Sequence, residues 1–441
     1  MMKKIAVALS VIVGLAVIAP TDAQAIPAFA RKYGFNCNMC HAAFTKLNDF
    51  GQRVRDNGYQ IPGQAGLEKN VFETAPPISF RTAAGMIVSH ESKNTTSGFT
   101  LNGLDLLAAG VLHKNISFLL IYTPRIDEPA ADYSGNPDGT NFSQPGALES
   151  ANIVFSNIVP DMLNIRVGRF EPAYHPFSSK RSYYLLQPYE VYGVETPNNG
   201  FIFDDNQLGI EATGHLKNGF KYGLGVVNGS GSSPDNNNAK DIYVNLFQTV
   251  GRGDGQSAGH RLGAFAYYGW QPTDDTIRIS VRPDSGADTS RPYVGSGGEA
   301  DRRGNVGFYR VGGDVSLNWR TFNLKVFYMY GSDDKKLNPY DSSKSEYIFQ
   351  GGFARLDWAG LMNNRLVVSG LFNWVRRPCE DSVQPSINAG AGLVRYYLGD
   401  WMAVNIALHL EYAYREFAYE KADRTHKQHD HTLAALIDFD F

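Results

Sequence analysis

From about residue 78 to Phe441 the chain repeats one pattern, short segments in which apolar and polar residues alternate. At the C-terminus Leu433, Ala435, Ile437, Phe439 and Phe441 share one face while Asp438 and Asp440 take the other. The preceding segment sets Met402, Val404, Ile406, Leu408, Leu410, Tyr412 and Tyr414 against Asn405, His409, Glu411 and Arg415. A period of two suits a strand with a lipid face and a water face. No stretch beyond the N-terminal leader has the continuous apolar run that a membrane helix needs.

A soluble sandwich would also alternate, so connection lengths must decide. Strands are expected at 78–90, 99–112, 115–123, 148–158, 163–170, 203–216, 219–227 and 239–249, then at 260–270, 306–320, 322–331, 345–358, 364–374, 386–398, 401–415 and 430–441. The links between them alternate in length. Short ones fall at His113-Lys114, Val159-Pro160-Asp161, Lys217-Asn218, Thr321, Met362-Asn363 and Gly399-Asp400, with 250–259 a longer exception. Long polar ones fall at 124–147, 171–202, 228–238, 271–305, 332–344, 375–385 and 416–429. About sixteen antiparallel strands with short turns on one side and long loops on the other describe an all-β transmembrane barrel with both termini in the periplasm. The abundant tyrosines and phenylalanines suit its interfacial girdles.

The first 25 residues read as a secretory signal: Lys3 and Lys4, an apolar run from Ile5 to Ala19, and Ala23-Gln24-Ala25 in a small-x-small cleavage pattern. The mature chain is expected to start near Ile26 and to reach the outer membrane of a Gram-negative cell, in contact with its lipid. Removing the leader takes away Lys3, Lys4 and Asp22 and moves the formal charge from −3 to −4. Such a balance gives no basic surface for nucleic acid.

Residues 26–77 form the segment between leader and barrel, and they hold Cys37-Asn38-Met39-Cys40-His41. Two thiols separated by two residues reach both vinyl groups of a haem, and the following imidazole becomes the proximal iron ligand. Cys37 and Cys40 are therefore expected to anchor one covalently bound haem c, and His41 to bind its iron. A thioredoxin-like pair would need a strand before and a helix after it in an α/β domain, and a zinc site would need further Cys or His within this segment. Cys379 stands alone and reads as a loop thiol.

About fifty residues bury too little surface to fold robustly without help. Ala42 to Tyr59 has helical spacing, with Phe44, Leu47, Phe50 and Val54 near one face. The expectation is a small α-helical monohaem cytochrome c that plugs the barrel, the alternative being a cap in the periplasm. A sixth iron ligand is missing from this segment, since no Met or His follows His41 before Met86. His175, Met329 and His409 are weak candidates to supply it from the barrel.

Arg166, Arg310, Asp314, Arg320, Lys325, His409, Glu411 and Arg415 are expected to face inward as a hydrated pore wall. The third outer loop, counting the link after the first strand, runs from Glu171 through Tyr174, His175, Pro176 and Phe177 to Tyr192, is aromatic and is expected to fold inward as a constriction. The last loop, Lys421 to His431, gathers His426, His429 and His431 with Glu420, Asp423 and Asp430. It reads as a solvated tip, or as a weak site for ferrous iron.

The run Pro27-Ala28-Phe29-Ala30-Arg31-Lys32-Tyr33-Gly34, the Cys37-x-x-Cys40-His41 motif, Leu47-Asn48-x-Phe50-Gly51 and Asn57-Gly58-Tyr59 together resemble the fused outer-membrane cytochrome–porin family of iron-oxidising bacteria. The match covers about residues 27 to 60. It implies electron transfer across the outer membrane, from extracellular Fe(II) to a periplasmic c-type cytochrome, with Cys37, Cys40 and His41 carried over. No iron-binding residue carries over. Related heads also occur in bacteria that send electrons outward, so a conduit to extracellular acceptors is the alternative, and a diffusion porin with a structural haem is the reading from another class. Porins are often trimeric, so a homotrimer is the expected assembly.

Overall fold

The computed structural model describes Tyr33, residues 37–43, residues 46–73 apart from 65, 68 and 72, and residues 78–440 apart from 92–93, 125–146, 187–188, 252–258, 274–303, 339–345, 362–364, 379–383, 402–403 and 422–423. The expected leader at 1–25, most of the expected loops at 124–147 and 271–305, the turn at Met362-Asn363, and Cys379 lie outside the described residues.

Sixteen antiparallel strands close on themselves. They are β1 (Ile78–Glu91), β2 (Asn94–His113), β3 (Ile116–Thr123), β4 (Ala147–Val159), β5 (Leu163–Phe170), β6 (Gln207–His215), β7 (Phe220–Val227) and β8 (Asp241–Val250). The second half comprises β9 (His260–Pro272), β10 (Asn305–Trp319), β11 (Phe322–Asp333), β12 (Tyr347–Leu361), β13 (Leu366–Arg376), β14 (Ser386–Trp401), β15 (Val404–Lys421) and β16 (Arg424–Asp440). Each strand pairs with its sequence neighbours, and β16 closes the ring on β1 from Asp440↔Arg81 to Asp430↔Glu91. Closure removes every sheet edge, which lipid requires because it offers backbone groups no hydrogen-bond partner.

The alternation read from the sequence is the alternation observed. Leu410, Tyr412, Leu433 and Ile437 are exposed on the outer surface, whereas His409, Glu411, Leu436 and Asp438 are buried inside. Trp319, Phe322 and Trp358 stack in a row beside the short turns. Tyr268 with Trp270 and Tyr328 with Trp374 form aromatic contacts nearer the other end. Two aromatic rows bracketing an apolar band are the mark of an outer-membrane barrel.

Four expectations are corrected. The helix expected over residues 42–59 contracts to α1 (Asp49–Asp56), because His41–Ala43 and Lys46–Leu47 pair as a small hairpin before it. The strand expected from residue 203 begins at Gln207, since the chain before it is still packed inside the barrel. The loop expected at 416–429 is mostly strand: β15 and β16 pair outward as far as Lys421↔Arg424, which puts His429 and His431 on β16. Arg320 does not face the lumen. It sits in the β10–β11 turn with a left-handed φ of 50° and its guanidinium over the Trp319 ring.

Candidate functional site

The lumen is narrowed by its own chain. Residues 171–206, between β5 and β6, fold inward and bring Tyr174, Phe177, Tyr183, Tyr184, Tyr189, Val191, Tyr192, Phe201 and Phe203 into one buried cluster with the barrel wall. Tyr189 stacks on Phe353 at 4.0 Å between ring centres, and Tyr192 meets Phe327 edge-on at 5.0 Å. Burial of each ring contributes about 1.5–3 kcal/mol, so this loop is held as a core is held.

Polar side chains fix its position around the circumference. Ala173 N–H donates to Glu211 on β6 at 2.6 Å, Asn199 Nδ2 to Asp333 on β11 at 3.1 Å, and Leu185 N–H to Glu411 on β15 at 2.8 Å. Arg355 on β12 donates to Ser182 Oγ at 2.8 Å and Tyr189 OH at 3.0 Å while its Nε binds Asp357 at 2.7 Å. Arg415 on β15 donates to Glu190 at 2.6 Å.

The expected hydrated wall is therefore corrected. Arg310 pairs with Asp333 at 2.5 Å, Lys325 with Asp357 at 3.6 Å, and His409 with Glu411 at 2.9 Å, while Arg166 pairs with Glu211 and Arg261 with Asp314. Arg310, Asp314, His409 and Glu411 are buried and paired, whereas Arg166, Lys325 and Arg415 are paired but keep part of their side chains exposed.

At the short-turn end, α1 sits against β6 and β7. Lys221 Nζ lies 3.2 Å from the Asp56 carboxylate and 3.1 Å from Gln52 Oε1, and His215 Nδ1 lies 3.3 Å from Asp56. Burial alone would raise the Asp56 carboxyl, but Lys221, Arg55 and His215 outweigh it and hold it well below the ordinary carboxylate range. Gly58 adopts φ 67° at the end of α1, and a side chain there would overlap Ser117 on β3. The fully buried Gln60 donates to Ser156 on β4 at 3.2 Å.

The same helix grips the cysteine motif. Cys37–Cys40 form a helical turn. Asn48 caps α1 by accepting from Gly51 N–H at 2.9 Å, donates through Nδ2 to the Met39 carbonyl at 3.0 Å, and donates its own N–H to the Cys40 carbonyl at 2.9 Å. Gly51 is required by this closeness, since a Cβ would overlap the Cys40 carbonyl oxygen. Burial pushes the half-buried Cys40 thiol up to about 11, away from the depressed value of a Cys-x-x-Cys redox thiolate. The turn and its hydrogen bonds hold the Cys40 backbone against α1; the Cys37 and His41 side chains lie outside the described residues.

The three candidates for a sixth ligand are engaged in the lumen packing. His175 Nε2 bonds the Phe203 carbonyl and its ring stacks on Tyr192 at 5.6 Å. Met329 on β11 is fully buried in the aromatic cluster, and His409 Nε2 is held by Glu411. Among the described residues no group of three or more His, Cys, Asp or Glu converges as a metal site. The residues missed by the sequence reading are Asp56, His215 and Lys221, which join head to barrel, and Arg355 and Asp357, which anchor the loop. Inward parity could have flagged the four strand residues, whereas Asp56, on α1, carries no such signal.

Fold and lumen define a porin-type outer-membrane barrel with a long loop folded into its interior. Among solved structures the chain is similar to the anion-selective porin of Comamonas acidovorans, with a TM-score of 0.52 and 11% identity over 82% of this chain and 99% of that one. It is also similar to the outer-membrane channel DcaP of Acinetobacter baumannii, with a TM-score of 0.51 and 8% identity over 82% of this chain and 97% of that one. At such identities the likeness carries the fold alone. No protein-family model and no curated protein sequence matches the chain.

Proposed function

We propose that this barrel carries one haem c on Cys37, Cys40 and His41 and transfers electrons across the outer membrane, taking them from extracellular Fe(II) and delivering them to a periplasmic c-type cytochrome. The observation that carries the reading is the packed lumen. A lumen narrowed by residues 171–206 restricts solute diffusion, and the segment bearing Cys37–Cys40 is fastened to the short-turn end of the barrel through Asp56, Gln52 and Gln60.

A bound haem c supplies reversible one-electron chemistry at iron. The chain's own residues have simpler tasks. Asn48 and Gly51 fix the attachment turn on α1, Lys221 and His215 fix α1 on the barrel, and the aromatic loop excludes water above them. The second reading, a diffusion porin with a structural haem, is favoured by the fold shared with the two channels above.

Anaerobic mixing of Fe(II) with the purified full-length protein in detergent, followed through the haem absorbance, tests the first reading. Reduction by Fe(II) supports it, and a haem that only a stronger reductant reduces overturns the iron donor. Porin-like solute flux through the protein in liposomes would instead establish the diffusion reading.

A further inference from the structure

Three histidines lie on the outer surface at the long-loop end of β1 and β16: His90 at the end of the strand expected at 78–90, and His429 and His431 where a loop tip is expected. His90 and His431 are direct cross-strand partners, with ring centres 6.2 Å apart and planes at 45°. His429 is two residues away on the same face of β16, and the Tyr414 ring stands beside both, 5.8 Å from His429 and 5.1 Å from His431.

Each imidazole has its Nδ1 engaged by a hydroxyl. His90 Nδ1 meets Thr95 Oγ1 at 2.8 Å, His431 Nδ1 meets Tyr412 OH at 2.7 Å, and His429 Nδ1 meets Tyr414 OH at 2.7 Å. With Nδ1 taken by a hydroxyl, Nε2 is the nitrogen each ring has left for a ligand, the arrangement that orients metal-binding histidines. With metal–nitrogen bonds near 2.0–2.1 Å, two imidazoles on one ion have centres about 5–6 Å apart. At 6.2 Å the His90–His431 pair is slightly wider, a gap that a small side-chain rotation closes, and of the three histidines only these two are direct cross-strand partners.

We propose that His90 and His431 form a binding site for a divalent transition-metal ion on the outward face of the barrel, with Thr95 and Tyr412 as positioning residues. Two imidazoles leave the remaining coordination positions to water, so the site is exchangeable. Imidazole ligands rank Cu(II) above Zn(II) and both above Fe(II). The site is independent of the haem and of the electron-transfer reading, because it lies on the outer surface and uses no residue of the N-terminal segment.

The test is titration of the full-length protein in detergent with Cu(II) alone and with Zn(II) alone, alongside the electron paramagnetic resonance spectrum of the copper form. One Cu(II) per barrel coupled to two imidazole nitrogens is expected. His90→Ala and His431→Ala should each remove one nitrogen and weaken binding at least tenfold, Tyr412→Phe should weaken it about tenfold, and His429→Ala and His260→Ala should titrate like the parent. Unchanged binding in both His90→Ala and His431→Ala overturns the proposal. A second arm needs no variant: bound Zn(II) should protect His90 and His431, but not His429 or His260, from carbethoxylation. Equal protection of all four, or none, also overturns it.

Discussion

Lys221, near the start of β7, reaches 3.2 Å to the carboxylate of Asp56 at the end of α1, and this contact ties the N-terminal segment to the barrel wall. Lys221 is nearly buried while Asp56 keeps a fifth of its side chain exposed, so the pair is only partly screened by solvent. Lys221→Met leaves Asp56 with His215 and Arg55. The docked state should lose about 2 kcal/mol, less than the ~3–5 kcal/mol of a fully buried pair. Hydrogen exchange over residues 49–60 should quicken about 30-fold, and parental protection in the variant would show that the contact does not hold the segment.

Burial pushes the His175 imidazole down from its ordinary 6.5, against the pull of Glu171 and Asp204. A histidine lowered in the folded state contributes its full stability above pH 6.5, and loses it as pH falls below that value because the unfolded chain binds the extra proton. Amide protection in residues 171–206 should therefore decline from pH 8 to pH 5. His175→Phe should flatten that decline. A parental slope in the variant would assign the pH dependence to another group.

The lumen loop makes a direct electrical prediction. The parent protein should show little or no steady conductance in planar bilayers, whereas replacing residues 174–203 by a short glycine-serine linker should open a stable aqueous channel of the kind a sixteen-stranded barrel encloses. An equally conducting parent and deletion would mean that the packed loop does not close the pore.

Gly51→Ala places a methyl group against the Cys40 carbonyl and must push the Cys37–Cys40 turn off α1. We expect the yield of covalent haem, measured as intact mass and haem absorbance per barrel, to fall several-fold while barrel heat-modifiability stays parental. An unchanged haem content would remove Gly51 from the attachment site.

The barrel was legible residue by residue where lipid lies on one side. Strand positions from 163–170 to 386–398 were read to within a few residues, because a lipid-facing surface admits only apolar side chains and the alternation is obligatory. The reading weakened where that rule stops. Beyond the bilayer β15 and β16 continue as a hairpin on polar residues such as Glu416, Lys427 and His429, which in sequence look like a loop.

The haem motif belongs to the sequence alone, since two thiols and an imidazole at fixed spacing are set by covalent geometry, as is the barrel's period of two. What occupies the lumen was decided by tertiary structure. The loop's aromatic residues announced an inward turn, yet the partners that receive it, Glu211, Asp333, Arg355 and Glu411, are scattered over two hundred residues and meet only when the sheet closes. Docking of α1 on the β6–β7 hairpin brings Asp56 to Lys221 and His215, and closure of the ring sets His90 beside His431. Local periodicity fixes which face a side chain takes. Which side chains share that face is fixed by strand register around the ring, a long-range property that no short window of sequence contains.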